Sequence, residues 1–326
     1  MSITKYYLSL IDWKNKKDPI KKMMIPSIEE LNTIGSYDTS GEIINTKLSG
    51  LQHKYDETAL ILSTNRCAAY CRFCFRKRLV GLKNTEILNQ FNDAVSYIAK
   101  NKQITNVLIS GGDSLMLPTD VIEAFLKKLV KIKHLRFIRF ASRVPVAFPK
   151  RIYADSELLA LLKKYSTKTK RLYIVTHFNH PNEITKESIK AIDALINSNV
   201  IISNQTVLMK DVNDDPSTLA ELMNQLTSIG VVPYYIFQCR PVSRVKHHFQ
   251  IPLYNGYKII EDAKKQLNGH AKRFKFVMSH KTGKIEILSL DNQYMYFKYQ
   301  QAKDAKNKGV FFKKKLNKKA SWLDDF

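Results

Sequence analysis

The sequence predicts an α/β protein built on a parallel sheet of six consecutive βα units between residues 59 and 267. Three observations point there. Short runs that are apolar throughout alternate with segments of helical period, the pattern of strands covered on both faces. The chemically unusual residues fall where each apolar run ends, as they do at the carboxyl ends of strands in barrels and open parallel sheets. Beyond residue 268 the pattern changes to short strands separated by turns, the signature of a small antiparallel meander.

Residues 1–50 are short amphipathic pieces broken by Pro19, Pro26, Gly35 and Gly41, which predicts a helical N-terminal wrap with little to say about function. The first unit pairs an apolar run at 59–63 with a helical period over 86–100, joined by a loop that holds Cys67, Cys71 and Cys74. The next strands are expected at 107–110 and 137–140, with helices starting at Thr119 and Asp155. Runs at 172–175, 200–202 and 231–237, with helices over 186–197, 217–229 and 256–267, complete the six. Six units fall short of the eight of a closed barrel. The strand ends carry, in order, the cysteine loop, Gly111-Gly112-Asp113, Ser142-Arg143, His177-Phe178-Asn179-His180, Asn204-Gln205 and Gln238-Cys239-Arg240. The meander is expected at 274–278, 284–288 and 294–299, covering the mouth or a side of the barrel, and a lysine-rich tail follows over 303–319. The expected division is therefore an extension over 1–50, a barrel over 51–270 and a C-terminal region over 271–326.

A chain of 326 residues with 44% hydrophobic and 25% charged content can bury a sizeable core without staples. No stretch approaches the ~20 apolar residues of a membrane span and no signal segment opens the chain, so a cytoplasmic protein with no membrane partner is expected. Four cysteines, three of them packed together, suit a reducing compartment. The net charge of +24 invites a nucleic-acid partner, but the lysines are spread over nearly every expected helix. A general lysine bias explains them, and no nucleic-acid partner is expected. Arginine is scarcer and gathers at turns, in Arg66, Arg72, Arg76, Arg78, Arg143 and Arg240, where its rigid fork could grip carboxylates.

Three thiolates spaced three and then two residues apart can close around an iron–sulfur cubane, leaving one of its four irons without a protein ligand. An open iron can bind and activate a small molecule. A structural zinc site with a distant fourth ligand is the alternative reading of the same residues. Gly111-Gly112-Asp113 lets backbone approach a polar ligand, or simply makes a tight turn. His177, Asn179 and His180 could hydrogen-bond a nucleoside or a carboxylate, while His180 could equally start a helix at Pro181. Arg143 could hold a ligand carboxylate or pair with Asp113 or Glu123.

The loop Cys67-x-x-x-Cys71-x-x-Cys74 is the signature of radical S-adenosylmethionine (radical SAM) enzymes. Its flank through Arg78, together with Ser110-Gly111-Gly112-Asp113, Ser142-Arg143-Val144-Pro145, the stretch from His177 to Glu183, Asn204-Gln205 and Val212-Asn213-Asp214, resembles the lysine 2,3-aminomutase family. The resemblance runs from about residue 50 to about 290. It implies a partial (β/α)6 barrel holding a [4Fe-4S] cluster on Cys67, Cys71 and Cys74, S-adenosylmethionine and pyridoxal 5'-phosphate (PLP). The implied reaction moves an amino group between adjacent carbons of a small amino acid, with a flavodoxin- or ferredoxin-type reductant and room for a homo-oligomer. It also implies that Gly111, Gly112, Asp113, Arg143, His177 and Gln205 line the S-adenosylmethionine pocket and that Arg76 grips the substrate α-carboxylate. Lys284 aligns with the PLP lysine, with Lys281 as the nearby rival, and Lys54 and Tyr55 match positions on the PLP phosphate. Departures from the family pattern are informative. Thr58 replaces an arginine on the phosphate side, Asp215 stands where zinc-bound members carry a cysteine, and no zinc is expected. Arg240 replaces the aspartate with which lysine-specific members meet the distal ammonium, and a second aspartate has no counterpart before Phe276. A substrate other than lysine, acidic or at least non-cationic, is expected. The alternative is a radical SAM enzyme of the same family that has lost PLP and acts on another small molecule or a macromolecule.

Overall fold

The structure, a computed structural model, describes residues 1–82 and 85–326. Its frame is one sheet whose strands neighbour each other in chain order: β1 (Thr46–Leu48), β2 (Leu51–Tyr55), β3 (Thr58–Thr64), β4 (Asn106–Gly111), β5 (Phe137–Ala141), β6 (Arg171–Thr176), β7 (Ile201–Leu208), β8 (Val232–Gln238), β9 (Lys275–His280), β10 (Gly283–Leu290), β11 (Tyr294–Ala302) and β12 (Phe311–Lys315). Strands β3 to β9 run parallel, and the pairs at either end are antiparallel. The sheet curls until its edges face one another: Lys54 on β2 donates through Nζ to the carbonyl of His280 at the end of β9, 2.6 Å away. This is the partial barrel expected, with a side-chain clasp in place of backbone closure.

Alternation along the parallel strands sorts the two faces. Ile61, Val107, Ile109, Ile138, Phe140, Leu172, Ile174, Ile202 and Ile236 are buried under the helices on the outer face, each contributing about 1.5–3 kcal/mol. Leu60, Leu108, Arg139, Val175, Gln205 and Phe237 turn inward to the cavity. The helices pack amphipathic faces on the sheet, and several have side-chain caps: Asp155 accepts from Leu158 N at 2.8 Å and Thr185 from Ser188 N at 3.2 Å.

Four expectations are corrected. The first meander strand, β9, pairs parallel with β8 as well as antiparallel with β10, making a seventh parallel strand delivered by the helix Leu253–Lys265. The N-terminal wrap is only partly helical, since β1 and β2 form a hairpin-like edge on β3. The first long helix starts at Phe91 rather than near 86, because Leu88 N is spent on Leu62 O at 2.8 Å as the chain crosses tightly over Gly50; a Cβ on Gly50 would lie 2.2 Å from Leu88 backbone. The lysine-rich tail contains the ordered strand β12, which stacks Phe311 on Tyr296 and Phe312 on Phe297.

Candidate active site

Cys67, Cys71, Cys74, the residues expected around S-adenosylmethionine, and Lys54, Tyr55, Arg76, Arg240 and Lys284 line one cavity of about 330 Å3 at the carboxyl ends of the parallel strands. Its roof is the cysteine loop that follows β3. The loop is pinned from below by the N-terminal segment, with Tyr70 N donating to Ser2 O and Arg72 N to Met23 O, both at 2.8 Å. Two donors reach the thiols: the Arg143 guanidinium to Cys71 Sγ at 2.9 Å, and Arg76 N to Cys74 Sγ at 3.4 Å. Burial pushes the thiol of Cys67 well above its ordinary value and that of Cys74 up to about 11. Ligation must therefore displace protons, as it does at thiolate sites. Among the described residues no group of three His, Cys, Asp or Glu side chains is gathered around a single ion position. A cubane instead takes its thiolates on separate irons, and three thiols facing one cavity, two of them with N–H donors, fit three of its four irons. Cys239 is buried in the same wall, its thiol pushed up to about 12 by burial, as a small apolar side chain.

Gly111 and Gly112 are demanded first by packing. Gly111 has φ +117°, and a Cβ on it or on Gly112 would lie 2.3 Å from the carbonyls of Thr64 and Arg66 respectively. Their backbone thereby holds the start of the cysteine loop, with Gly112 N on Thr64 O and Asp113 N on Arg66 O at 2.5 and 2.8 Å. Asp113 is buried and accepts from Ser142 Oγ, Arg143 N and Leu115 N at 2.7, 2.6 and 3.1 Å; burial still leaves its carboxyl above the ordinary value. Arg143 pairs with neither Asp113 through its side chain nor with Glu123, which sits between Lys127 and Lys164 at the surface. Its partner is the fully buried Glu183, with Tyr7 Oη at 2.6 Å and His177 O at 3.2 Å. Burial and Arg143 lower His177 to about 3, so its imidazole is neutral in the cavity wall. Gln205 faces the cavity from β7. His180 lies outside the cavity lining and caps the turn Pro181–Glu183, accepting from Asn182 N at 3.1 Å. Asn179 is structural, tying Val207 N and Asn213 into the strand ends.

In the side wall, Arg76, the expected grip on the substrate α-carboxylate, is held by protein partners. Its Nε and Nη2 both donate to Glu42 Oε1, at 3.0 and 2.8 Å, and its Nη1 to Ser110 Oγ and Gly111 O at 2.9 and 3.3 Å. Burial would raise the carboxyl of Glu42, yet Arg76 with Arg240 and Arg78 holds it at about 2. Glu42 and Glu30, which takes Arg72 and Lys77, come from the N-terminal wrap and neutralise the basic stretch after the cysteines. Nothing local in the sequence signals these partners, 34 to 47 residues away. Arg240 turns into the cavity, stacks at 4.0 Å on Phe75 and donates to Ser40 Oγ at 2.8 Å.

On the floor, the Lys284 amine lies 4.4 Å from the ring centre of Tyr235, and it has no hydrogen-bond or carboxylate partner among the described residues. Burial, then Arg139, Arg240 and Lys54, lower it to about 7. Lys281 instead points to solvent, 3.3 Å from Asp324. Lys54 reaches the carbonyls of Ser40 and His280 and is lowered to about 7 by burial and by Arg240. Tyr55 beside it is buried enough to raise its phenol. Sequence reasoning missed Arg139, although an arginine inside the apolar run at 137–140 was a visible anomaly.

A three-cysteine loop on the first parallel strand, roofing a cavity at the strand ends, defines the class: residues 61–223 match the Radical SAM superfamily. Membership implies a [4Fe-4S] cluster and S-adenosylmethionine. The chain is 43% identical over 322 residues to a provisionally named L-lysine 2,3-aminomutase of Aquifex aeolicus, covering 98% of this chain and 86% of that protein. It is 40% identical over 273 residues to the L-lysine 2,3-aminomutase of Clostridium subterminale, and 38% over 272 residues to the glutamate 2,3-aminomutase of Clostridioides difficile. Those two matches cover 83% of this chain but 64% and 62% of the relatives' own lengths. The chain belongs to the lysine 2,3-aminomutase family of radical SAM enzymes. No helix among the described residues is long and apolar enough to cross a membrane.

Proposed function

We propose that the chain is a PLP-dependent radical SAM 2,3-aminomutase that converts a free, non-cationic α-amino acid to its β-isomer. One observation carries the PLP part: a partnerless amine, Lys284, lies in the same cavity as the cysteine loop and is lowered to about 7. An amine whose protonation is disfavoured by burial and neighbouring cations is suited to attach to a carbonyl. When bound, the cluster with S-adenosylmethionine supplies hydrogen abstraction and PLP a carbonyl that carries the migrating amino group. The chain's own residues bind and orient. Gly111, Gly112, Asp113, Arg143, the neutral His177 and Gln205 face S-adenosylmethionine beneath the roof. Lys54 and Tyr55 serve the PLP phosphate. Arg76, clamped on one edge by Glu42, offers the substrate α-carboxylate its Nη1 edge, now on Ser110 and Gly111. Arg240 sets a positive charge at the far end of the substrate, which disfavours an ammonium there. A flavodoxin- or ferredoxin-type protein is the proposed electron donor.

The test is the absorbance of anaerobically reconstituted protein incubated with PLP. A band of protein-bound PLP is expected, and borohydride should fix the pyridoxyl label on the peptide containing Lys284. Cluster absorbance with no bound PLP would instead favour a family member without PLP, a reading that Thr58 at the place of an arginine keeps specific.

A further inference from the structure

We infer, on the strength of the PLP reading above, that Arg139 supplies the floor of the cavity with its phosphate-binding guanidinium, in the place that Thr58 leaves without a charge. Arg139 stands in the middle of β5 between Ile138 and Phe140, which face the helices, and its own side chain turns into the cavity. Among the described residues a single hydrogen bond holds it, from Nη2 to Asn106 Oδ1 at 2.5 Å, Nε is buried without a partner, and no carboxylate compensates it. The two acids of the cavity wall are engaged elsewhere, Glu42 by Arg76 and Arg78 and Asp113 by Ser142 and backbone amides. Its ionisable neighbour is another base, Lys284, which it helps to lower.

A buried guanidinium with an orphaned N–H is costly, and native structures rarely leave one unless something binds there. The missing partner must be an anion rich in acceptors. Asn106 joins Arg139 to the phosphate side, because its Nδ2 also donates to Thr58 Oγ1 at 3.1 Å, and Thr58 pairs across the β2–β3 turn with Tyr55. Lys54, Tyr55, Thr58 and Arg139 thus line the same cavity as the Lys284 amine, with Asn106 bridging Thr58 and Arg139. A phosphate monoester attached to a ring held at Lys284 matches that layout. A substrate carboxylate fits less well, since the cations grouped at the substrate wall are Arg76 and Arg240, around Glu42.

The experiment titrates PLP, and pyridoxal as its phosphate-free counterpart, into the cluster-loaded full chain as wild type, Arg139→Gln and Arg139→Lys, with melting of each protein before ligand is added. Arg139→Gln should weaken PLP by about 10- to 150-fold, the loss of charge-assisted hydrogen bonding, and leave pyridoxal unchanged. Arg139→Lys should fall between. Without PLP, Arg139→Gln should melt no lower than wild type, because the guanidinium it removes is uncompensated; a merely structural arginine would lower the melting point. Equal PLP affinity in Arg139→Gln and wild type overturns the assignment while the PLP reading stands. Parallel weakening of PLP and pyridoxal overturns it as well, by showing a collapsed floor. A wild type that binds neither compound overturns both readings. Should Arg139→Gln fail to fold, Arg139→Lys decides: a PLP-to-pyridoxal affinity ratio unchanged from wild type overturns the assignment.

Discussion

At the roof and side wall of the cavity these charges are tied to partners: Arg143 to Glu183, Tyr7 and Cys71, Arg76 and Arg78 to Glu42, Arg72 and Lys77 to Glu30. At the floor, Lys284 and Arg139 face the same space with no acid, and Lys54 has only carbonyl oxygens. Burying a charge is tolerable when it is paired and expensive when it is not. The roof is consequently a finished frame on which a cluster can be positioned, whereas the floor is stabilised when an anion arrives. On the proposed function, a rigid scaffold at the radical end and a ligand-dependent end for the group that carries the amine follow from the same rule.

The largest effect expected at the roof is on iron. Cys67→Ser, Cys71→Ser or Cys74→Ser should remove most iron and all cleavage of S-adenosylmethionine, while Cys239→Ser keeps both; full iron content in Cys71→Ser would remove the cluster from this loop. The contrast in pairing is broken or kept by stability. Glu183→Ala strands the buried Arg143 and should cost about 3–5 kcal/mol in denaturant unfolding, whereas Lys284→Met at the floor should cost nothing or stabilise the ligand-free protein. Equal losses in the two variants would contradict the comparison.

On the proposed function, Arg240 sets the charge that the substrate's far end meets. Two like charges ~4 Å apart at an effective dielectric of ~20 repel by roughly 4 kcal/mol, on the order of a thousandfold in affinity. Wild type should therefore prefer glutamate to lysine, and Arg240→Asp should swing towards lysine. Robust turnover of lysine by wild type, with none of glutamate, would refute this. A further effect concerns pH. The folded-state value of Lys284, about 7, lies below the ordinary 10.5 of an unfolded lysine. Between those values the unfolded chain binds the extra proton, so stability rises with pH across the window and is lost as pH falls through about 7. Unfolding of wild type against Lys284→Met from pH 6.5 to 9.5 should show that rising difference; a flat one would mean that the amine is not depressed.

Much of this was legible in the chain because it is local. Cysteine spacing, glycines after a strand and the period of apolar runs are written over a few residues, and they predicted the α/β class with its parallel sheet and which loops share one face, while the family resemblance implied the partial barrel. The turn Thr282-Gly283 left Lys281 and Lys284 as rivals, and only the direction of the strand decided between a surface amine and a cavity amine. The parallel pairing of β9, the carboxylate that clamps Arg76 and the partner of Arg143 were hidden for a different reason. Each joins segments tens of residues or more apart: Glu42 to Arg76 across 34 residues, Glu183 to Arg143 across 40, Tyr7 to Arg143 across 136. Local sequence determines which charges are available and which strand ends carry them. Which of those charges are neutralised is a property of chain segments brought together only by folding, and in a low-dielectric interior that pairing decides whether an arginine is a strut or a binding group.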